Sequence, residues 1–133
     1  MAKKKHAQNS IYWRNKADKE VSKYYKGQPC AVCGTTYQTC GHHIVERSLS
    51  AYLRHHILNL IALCPNHHKF SNDLAAHSKN PLAVKAWAAW LEANWPTSYE
   101  LLEVYKHFRG EKVDYEYNYN SWKEMNENPE TQP

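Results

Sequence analysis

Four cysteines and nine histidines are the side chains here with metal chemistry available to them, and they are unevenly spread. All four Cys lie between positions 30 and 64, and seven of the nine His lie between 42 and 77. Cys30-x2-Cys33 has the form of a zinc knuckle, two thiolates two residues apart followed by Gly34, which lets the backbone fold under a metal. Cys64-x2-His67 repeats the spacing with one imidazole. Zinc prefers four sulfur or imidazole ligands in a tetrahedron, so two short-spaced pairs from separate loops predict a structural Zn2+ on Cys30, Cys33, Cys64 and His67. The alternative is four small buried side chains without metal. A zinc would staple a region whose own core is small. Cys40 is the odd thiol, expected to be buried and unliganded. His42, His43, His55, His56, His68 and His77 are then left over, too many for all to lack a purpose.

These side chains need elements to hold them. Residues 10–26 read as a helix, with Ser10 as N-cap, apolar Ile11, Tyr12, Val21, Tyr24 and Tyr25, and Gly27 with Pro29 as the stop. Thr35 to Cys40 is β-branched and aromatic and predicts a strand leading into Gly41-His42-His43-Ile44-Val45. Ser48 to His56 reads as a short helix or structured loop. Apolar Asn59 to Leu63 leads directly into Cys64, and Pro65 suits the first turn of a helix carrying His67 and His68. Asn80 and Pro81 open a helix whose apolar face is Leu82, Val84, Trp87, Trp90, Leu91 and Trp95, ended by Pro96. Thr97-Ser98-Tyr99-Glu100 is a capping-box pattern for another helix through about Phe108, pairing with its predecessor as a hairpin. The three tryptophans could stack on bases, but their helical spacing among Ala and Leu favours core packing. Tyr115, Tyr117 and Tyr119 alternate as in a strand, either covering an edge or mediating self-association, and disorder is expected from about residue 124.

Gly41-His42-His43-Ile44-Val45, then Asn59-Leu60, then Leu63-Cys64-Pro65-Asn66-His67-His68 resemble, in order and spacing, the ββα-metal motif of HNH endonucleases, in the zinc-stabilised branch found in many phage and prophage proteins. The run from His77 through Asn80-Pro81 to the Trp-rich helix resembles phage recombination-associated HNH nucleases. The resemblance implies an α+β, mostly helical fold: a ββα-metal HNH core with a zinc knuckle pair, flanked by an N-terminal helix and a C-terminal helical hairpin. It makes His43 the general base, with Asn59 fixing the strand-to-helix loop and orienting that base. It makes His42 and His68 ligands of a catalytic divalent metal, with His77 as the third. Some relatives carry a histidine four residues after the His68 position, where this chain has Asn72, the alternative third ligand.

The implied reaction is phosphodiester hydrolysis in DNA, which needs a water nucleophile, a base for its proton and positive charge near the phosphate. An imidazole with an ordinary pKa of about 6.5 is a competent base near neutral pH. On an extended segment, adjacent His42 and His43 point to opposite sides. Imidazole ligands suit Zn2+, Ni2+ and Co2+ and tolerate Mn2+, whereas Mg2+ favours oxygen, so activity with transition metals at least matching that with Mg2+ is expected. A non-catalytic zinc-binding module for nucleic acid or protein is the competing reading.

Charge fits a polyanionic partner. The 17 basic and 13 acidic side chains divide as eight and two over residues 1–28, four and two over 29–80, three and three over 81–110, and two and six over 111–133. Lys3, Lys4, Lys5, Arg14, Lys16, Lys19, Lys23 and Lys26 are candidate phosphate contacts, as are Arg47, Arg54 and Lys69 nearer the site, with Arg47 and Arg54 the best placed because they lie between the two halves of the motif. No helix presents a set of base-reading side chains, which predicts low sequence specificity or structure-selective cutting. The chain divides into a basic arm and helix (1–28), a zinc-stabilised HNH nuclease core with C-terminal helices (29–110) and an acidic, partly disordered tail (111–133). With 133 residues there is one core. Without an apolar run of about 18 residues or a secretory signal, a cytoplasmic protein with no membrane partner is expected. One site cuts one strand, so paired cuts call for a homodimer.

Overall fold

The computed structural model describes residues 5–105 and 112–128. In chain order they form α1 (Ile11–Tyr25), β1 (Cys40–His43), β2 (Leu60–Leu63), α2 (Pro81–Asn94), α3 (Pro96–Tyr105) and α4 (Tyr115–Glu127). The class is α+β: about half of the described residues are helical, around a two-stranded antiparallel sheet. No helix among the described residues is long and apolar enough to cross a membrane.

The sheet is short because its work is to place side chains. Cys40 pairs with Leu63, Gly41 with Ala62, His42 with Ile61 and His43 with Leu60. All four residues of β2 are buried, so both faces of the strand are covered. Leu60 and Ala62 pack with Val21 and Tyr25 of α1 and Trp122 of α4. Ile61 and Leu63 pack with Trp87 and Leu91 of α2 and with Cys30 and Cys64. His42 and His43 inherit this alternation and leave β1 on opposite faces. Gly41 is required by close approach: a Cβ there would sit 2.9 Å from Cδ2 of Tyr25.

Ser10 caps α1, its hydroxyl accepting from the Trp13 amide. Asn80 caps α2 with Pro81 in the first turn. The buried face of α2 is Ala83, Trp87 and Leu91, an i, i+4, i+8 stripe, whereas Leu82 is 73% exposed. Leu82 and Val84, expected on the apolar face, therefore lie off it, and Trp87 and Trp90 stack on each other beside the core.

Four expectations are corrected. The strand expected over Thr35 to Cys40 begins only at Cys40, because Gln38 takes a positive φ of 48°, a turn conformation that interrupts an extended run. The helix expected to open after Thr97 already begins at Pro96; the Tyr99 amide bonds to the Trp95 carbonyl, and Trp95 also closes α2 on Leu91. Trp95 alone links α2 to α3, fewer than the about two to five residues that an antiparallel helical hairpin uses. The end expected near Phe108 lies outside the described residues. Finally, residues 115–127 form a helix capped by Asp114 rather than a strand, and the order continues past 124. Tyr119 lies against Trp13, Trp122 against Tyr24 and Tyr25, and Asn126 donates to Glu20, so α4 runs beside α1 in the same direction.

Candidate metal centres and the cleft they line

The ligand atoms of Cys30, Cys33, Cys64 and His67 all lie within 4.8 Å of one another. The first pair sits in a knuckle: the Cys30 amide bonds to the Thr35 carbonyl, the Gly34 amide to the Cys30 carbonyl, and Gly34 adopts the φ of 77° that closes the turn. The Ala31 amide sews this knuckle to the Ala62 carbonyl of β2. The second pair follows β2 directly. Sulfur to sulfur, Cys33 and Cys64 are 3.7 Å apart, and Nδ1 of His67 is 3.9 Å from Cys30 and 3.4 Å from Cys64. Zn–S bonds of about 2.3 Å and Zn–N bonds of about 2.0 Å at tetrahedral angles require edges of about 3.8 Å (S–S) and 3.5 Å (S–N). All four cysteines are free thiols, so no disulfide accounts for this proximity. Burial works against a thiolate at Cys30, but the backbone amides of Cys64, Cys33 and Val32 outweigh it and hold that thiol below its ordinary pKa. At Cys64, burial and the neighbouring thiols push the pKa up, the condition a bound cation relieves. The four side chains fit a metal such as zinc.

A second cluster lies one residue away. Nitrogens of His42, His68 and His77 also fall within 4.8 Å of one another. Their ring centroids form a nearly equilateral triangle of 4.9, 5.1 and 5.1 Å. An ion about 2.1 Å from each nitrogen and about 3.2 Å from each centroid would hold three rings about 5 Å apart, so the trio fits a divalent cation. His42 is buried against Trp87, His68 is half-buried and His77 is exposed, which leaves the trio open on one side. Burial, then the neighbouring histidines, push the His42 pKa down to about 3. Burial, His77 and Lys69 push His68 down as well. Both rings are neutral near pH 7, the form that can bind a cation.

Backbone pairing brings His77 in. The His77 amide bonds to the His68 carbonyl and the Ala76 amide to the His67 carbonyl, laying the return of the loop along the ligand turn. Asn72, the alternative third ligand, is exposed on that loop, where its carbonyl accepts from Asn80, and does not line the cleft. The turn carrying His67 and His68 is a five-residue π-helix, Asn66–Phe70, closed by the Ser71 amide on the Asn66 carbonyl. Consecutive histidines on it belong to different clusters.

His43 stands on the other face of β1. Its Nε2 is 2.8 Å from the backbone carbonyl of Arg54. A carbonyl only accepts, so Nε2 carries the proton and Nδ1 keeps a free lone pair. Burial, with Arg47 and Arg54 nearby, lowers the His43 pKa despite the bond to Arg54, and keeps the ring neutral near pH 7. Asn59 is fully buried. Its Oδ1 accepts from the Val45 amide at 2.7 Å, and its Nδ2 donates to the carbonyls of Val45 at 3.1 Å and Leu53 at 2.9 Å. It fastens the loop between the two strands, not the strand-to-helix loop expected, and is linked to His43 through Leu53 and Arg54.

His42, His43, His68 and His77 line one cleft of about 900 Å3. Arg14 and Ser22 of α1, Arg47, Arg54 and Lys69 also line it, with Glu46 as its one carboxylate. Arg14 holds its buried Nε without a hydrogen-bond partner, and Arg47 and Lys69 are exposed. Arg54 lines the cleft with its guanidinium already paired: Nε and Nη2 grip Asp18 at 2.9 and 2.6 Å. Cys40, expected to be buried, is exposed, with Sγ 4.0 Å from Nδ1 of His68. Lys3 and Lys4 lie outside the described residues.

Sequence reasoning left His55 unassigned and did not single out Asp18, Asn118 or Trp122. His55 is buried, its Nε2 donates to Asp18 at 2.8 Å, and its Nδ1 accepts from Asn118 at 3.2 Å. Tyr115, Asn118, Trp122 and Met125 recur at i, i+3, i+7 and i+10, the helical signal that would have found this face. No family model matches the chain, no curated protein matches its sequence and no solved structure matches its fold.

Proposed function

We propose that this protein is a metal-dependent endonuclease of the HNH type that hydrolyses phosphodiester bonds in DNA with low sequence specificity or selectivity for structure. The observation that carries the reading is a neutral base with a fixed tautomer, His43, sharing a cationic cleft with three convergent imidazoles. A divalent metal on His42, His68 and His77, when bound, supplies positive charge to the phosphate and the leaving oxygen. His43 takes a proton from water at Nδ1 while the water oxygen bonds to phosphorus. The bond from phosphorus to the leaving oxygen breaks, and that oxygen receives a proton from solvent. Arg14, Arg47 and Lys69 hold the strand by its phosphates. The structural zinc on Cys30, Cys33, Cys64 and His67 keeps the ligand turn in place. Paired cuts through duplex DNA would use two copies of the chain.

The test is cleavage of plasmid and branched DNA with Mn2+, Ni2+ or Mg2+. A general base contributes about 10²–10⁴-fold, and His43→Ala is expected to lose that much in rate. Elemental analysis should find one tightly held zinc, lost in Cys30→Ala and kept in His42→Ala. Wild type that cuts none of these substrates, or His43→Ala that cuts as fast, overturns the assignment; zinc alone with binding that survives His43→Ala is the signature of a non-catalytic module.

A further inference from the structure

A base held by a backbone carbonyl is only as well placed as the peptide that bears it. The carbonyl of Arg54 belongs to a loop between the strands, and a loop does not fix its own peptides. Here the peptide is fixed at three consecutive residues, by the loop's own Asn59 and by side chains of α1 and α4. Asn59 holds the Leu53 carbonyl at 2.9 Å. Asp18 of α1 holds the Arg54 side chain with both carboxylate oxygens and takes the His55 ring on Oδ1. From α4, Asn118 donates to the far side of that ring, and Trp122 Nε1 donates to the His55 carbonyl at 2.9 Å.

We propose that Asp18 is a positioning residue for the reaction: by clamping Arg54 and His55 together against α1, with α4 behind His55, it aims the Arg54 carbonyl at Nε2 of His43 and so fixes the tautomer that leaves Nδ1 as the base. The inference rests on the endonuclease reading for its catalytic consequence, while the geometry of the clamp stands apart from it. Asp18 is well suited to the task. Burial pushes its carboxyl pKa up, yet hydrogen bonds from Arg54 and His55, with the charge of the Arg54 guanidinium, outweigh that and hold it well below the usual carboxylate range, so the clamp stays ionised near neutral pH. It makes α4 part of the catalytic apparatus: Asn118 and Trp122 reach the base through His55, although α4 contributes no side chain to the cleft lining. A displacement of about 1 Å at a positioning contact costs up to about 100-fold in rate, so a loosened clamp is expected to register in turnover.

The experiment compares wild type, Asp18→Asn and His43→Ala as full-length, zinc-loaded chains. Asparagine keeps the size but presents an amide donor to Arg54 or to His55. Long-range 1H–15N correlation spectra of the histidine rings should show His43 as the Nε2–H tautomer in wild type and as a mixture with Nδ1–H in Asp18→Asn. DNA cleavage well below the unfolding temperature should show kcat down about 10- to 100-fold with KM within about twofold. A merely stabilising role would lower the unfolding temperature and leave the tautomer and kcat of the folded protein unchanged, and that result overturns the inference. Should Asp18→Asn fail to fold, Asn118→Ala, at the half-buried far end of the clamp, carries the same two measurements. Full activity in His43→Ala would sink the endonuclease reading, and the tautomer spectra would still decide whether Asp18 positions the ring.

Discussion

Replacing Asn59 by alanine tests how the site and the stability of the fold depend on one amide. The side chain is fully buried and makes three hydrogen bonds, all to backbone groups of the segment linking the strands. Alanine strands the Val45 amide without an acceptor, at about 2 kcal/mol, and removes the donor from two carbonyls, at about 1 kcal/mol each, for a loss near 4 kcal/mol. That is a large part of the roughly 5–15 kcal/mol that keeps a domain folded. Unfolding entropy of about 2.1 cal/mol/K per residue gives about 0.3 kcal/mol/K for this chain, so Tm should fall by about 14 °C. The assay is thermal unfolding of zinc-loaded protein followed by circular dichroism. Asn59→Asp is a sharper second variant, because it faces two carbonyl oxygens with a carboxylate oxygen, and it should be at least as unstable. A drop below about 3 °C in both variants would mean that the loop holds itself and that Asn59 is not its fastener.

Two further outcomes follow from the packing. Gly41→Ala places a Cβ 2.9 Å from the Tyr25 ring, which is itself buried between α1 and the sheet, so the ring must shift; a loss of about 1–3 kcal/mol in urea unfolding is expected, and an unchanged midpoint would show that Tyr25 yields freely. His56 Nδ1 accepts from the Leu58 amide, and burial lowers its pKa. As pH falls through the ordinary imidazole value, the unfolded chain binds a proton before the folded one does, so stability contributed by this residue is lost toward acid and recovered as pH rises. His56→Asn keeps an acceptor for the Leu58 amide and does not titrate, so its stability should depend less steeply on pH between 5.5 and 7.5 than wild type; equal slopes would refute the linkage.

The parts of the site legible in the sequence are those set by short spacing. Cys30-x2-Cys33 and Cys64-x2-His67 define a four-ligand cluster because each pair closes within one turn, and alternation along an extended run separates His42 from His43. His77 is different. Nine residues beyond His68, it joins the trio through backbone bonds that no side-chain pattern announces. The pairing of Arg54 is hidden in the sequence because its partner, Asp18, is 36 residues away, and a cation near a motif looks free until its counter-ion is known. The tyrosines of α4 mislead for a local reason. Positions 115, 117 and 119 alternate, yet burial follows Trp122 and its helical neighbours, and the tertiary packing of α1 against α4 decides the period.

The π-turn at Asn66–Phe70 has a consequence for anyone who would graft or resize this region. Because His67 and His68 share a peptide and face different clusters, the stretch from Cys64 to Phe70 has a fixed length: one residue inserted or deleted ahead of His67 would re-aim both imidazoles together. The neighbouring residues from Ser71 to Asp73 belong to neither cluster. Transplanted to another scaffold, the histidine trio would have to travel with its cysteines, as a single cassette with two sockets.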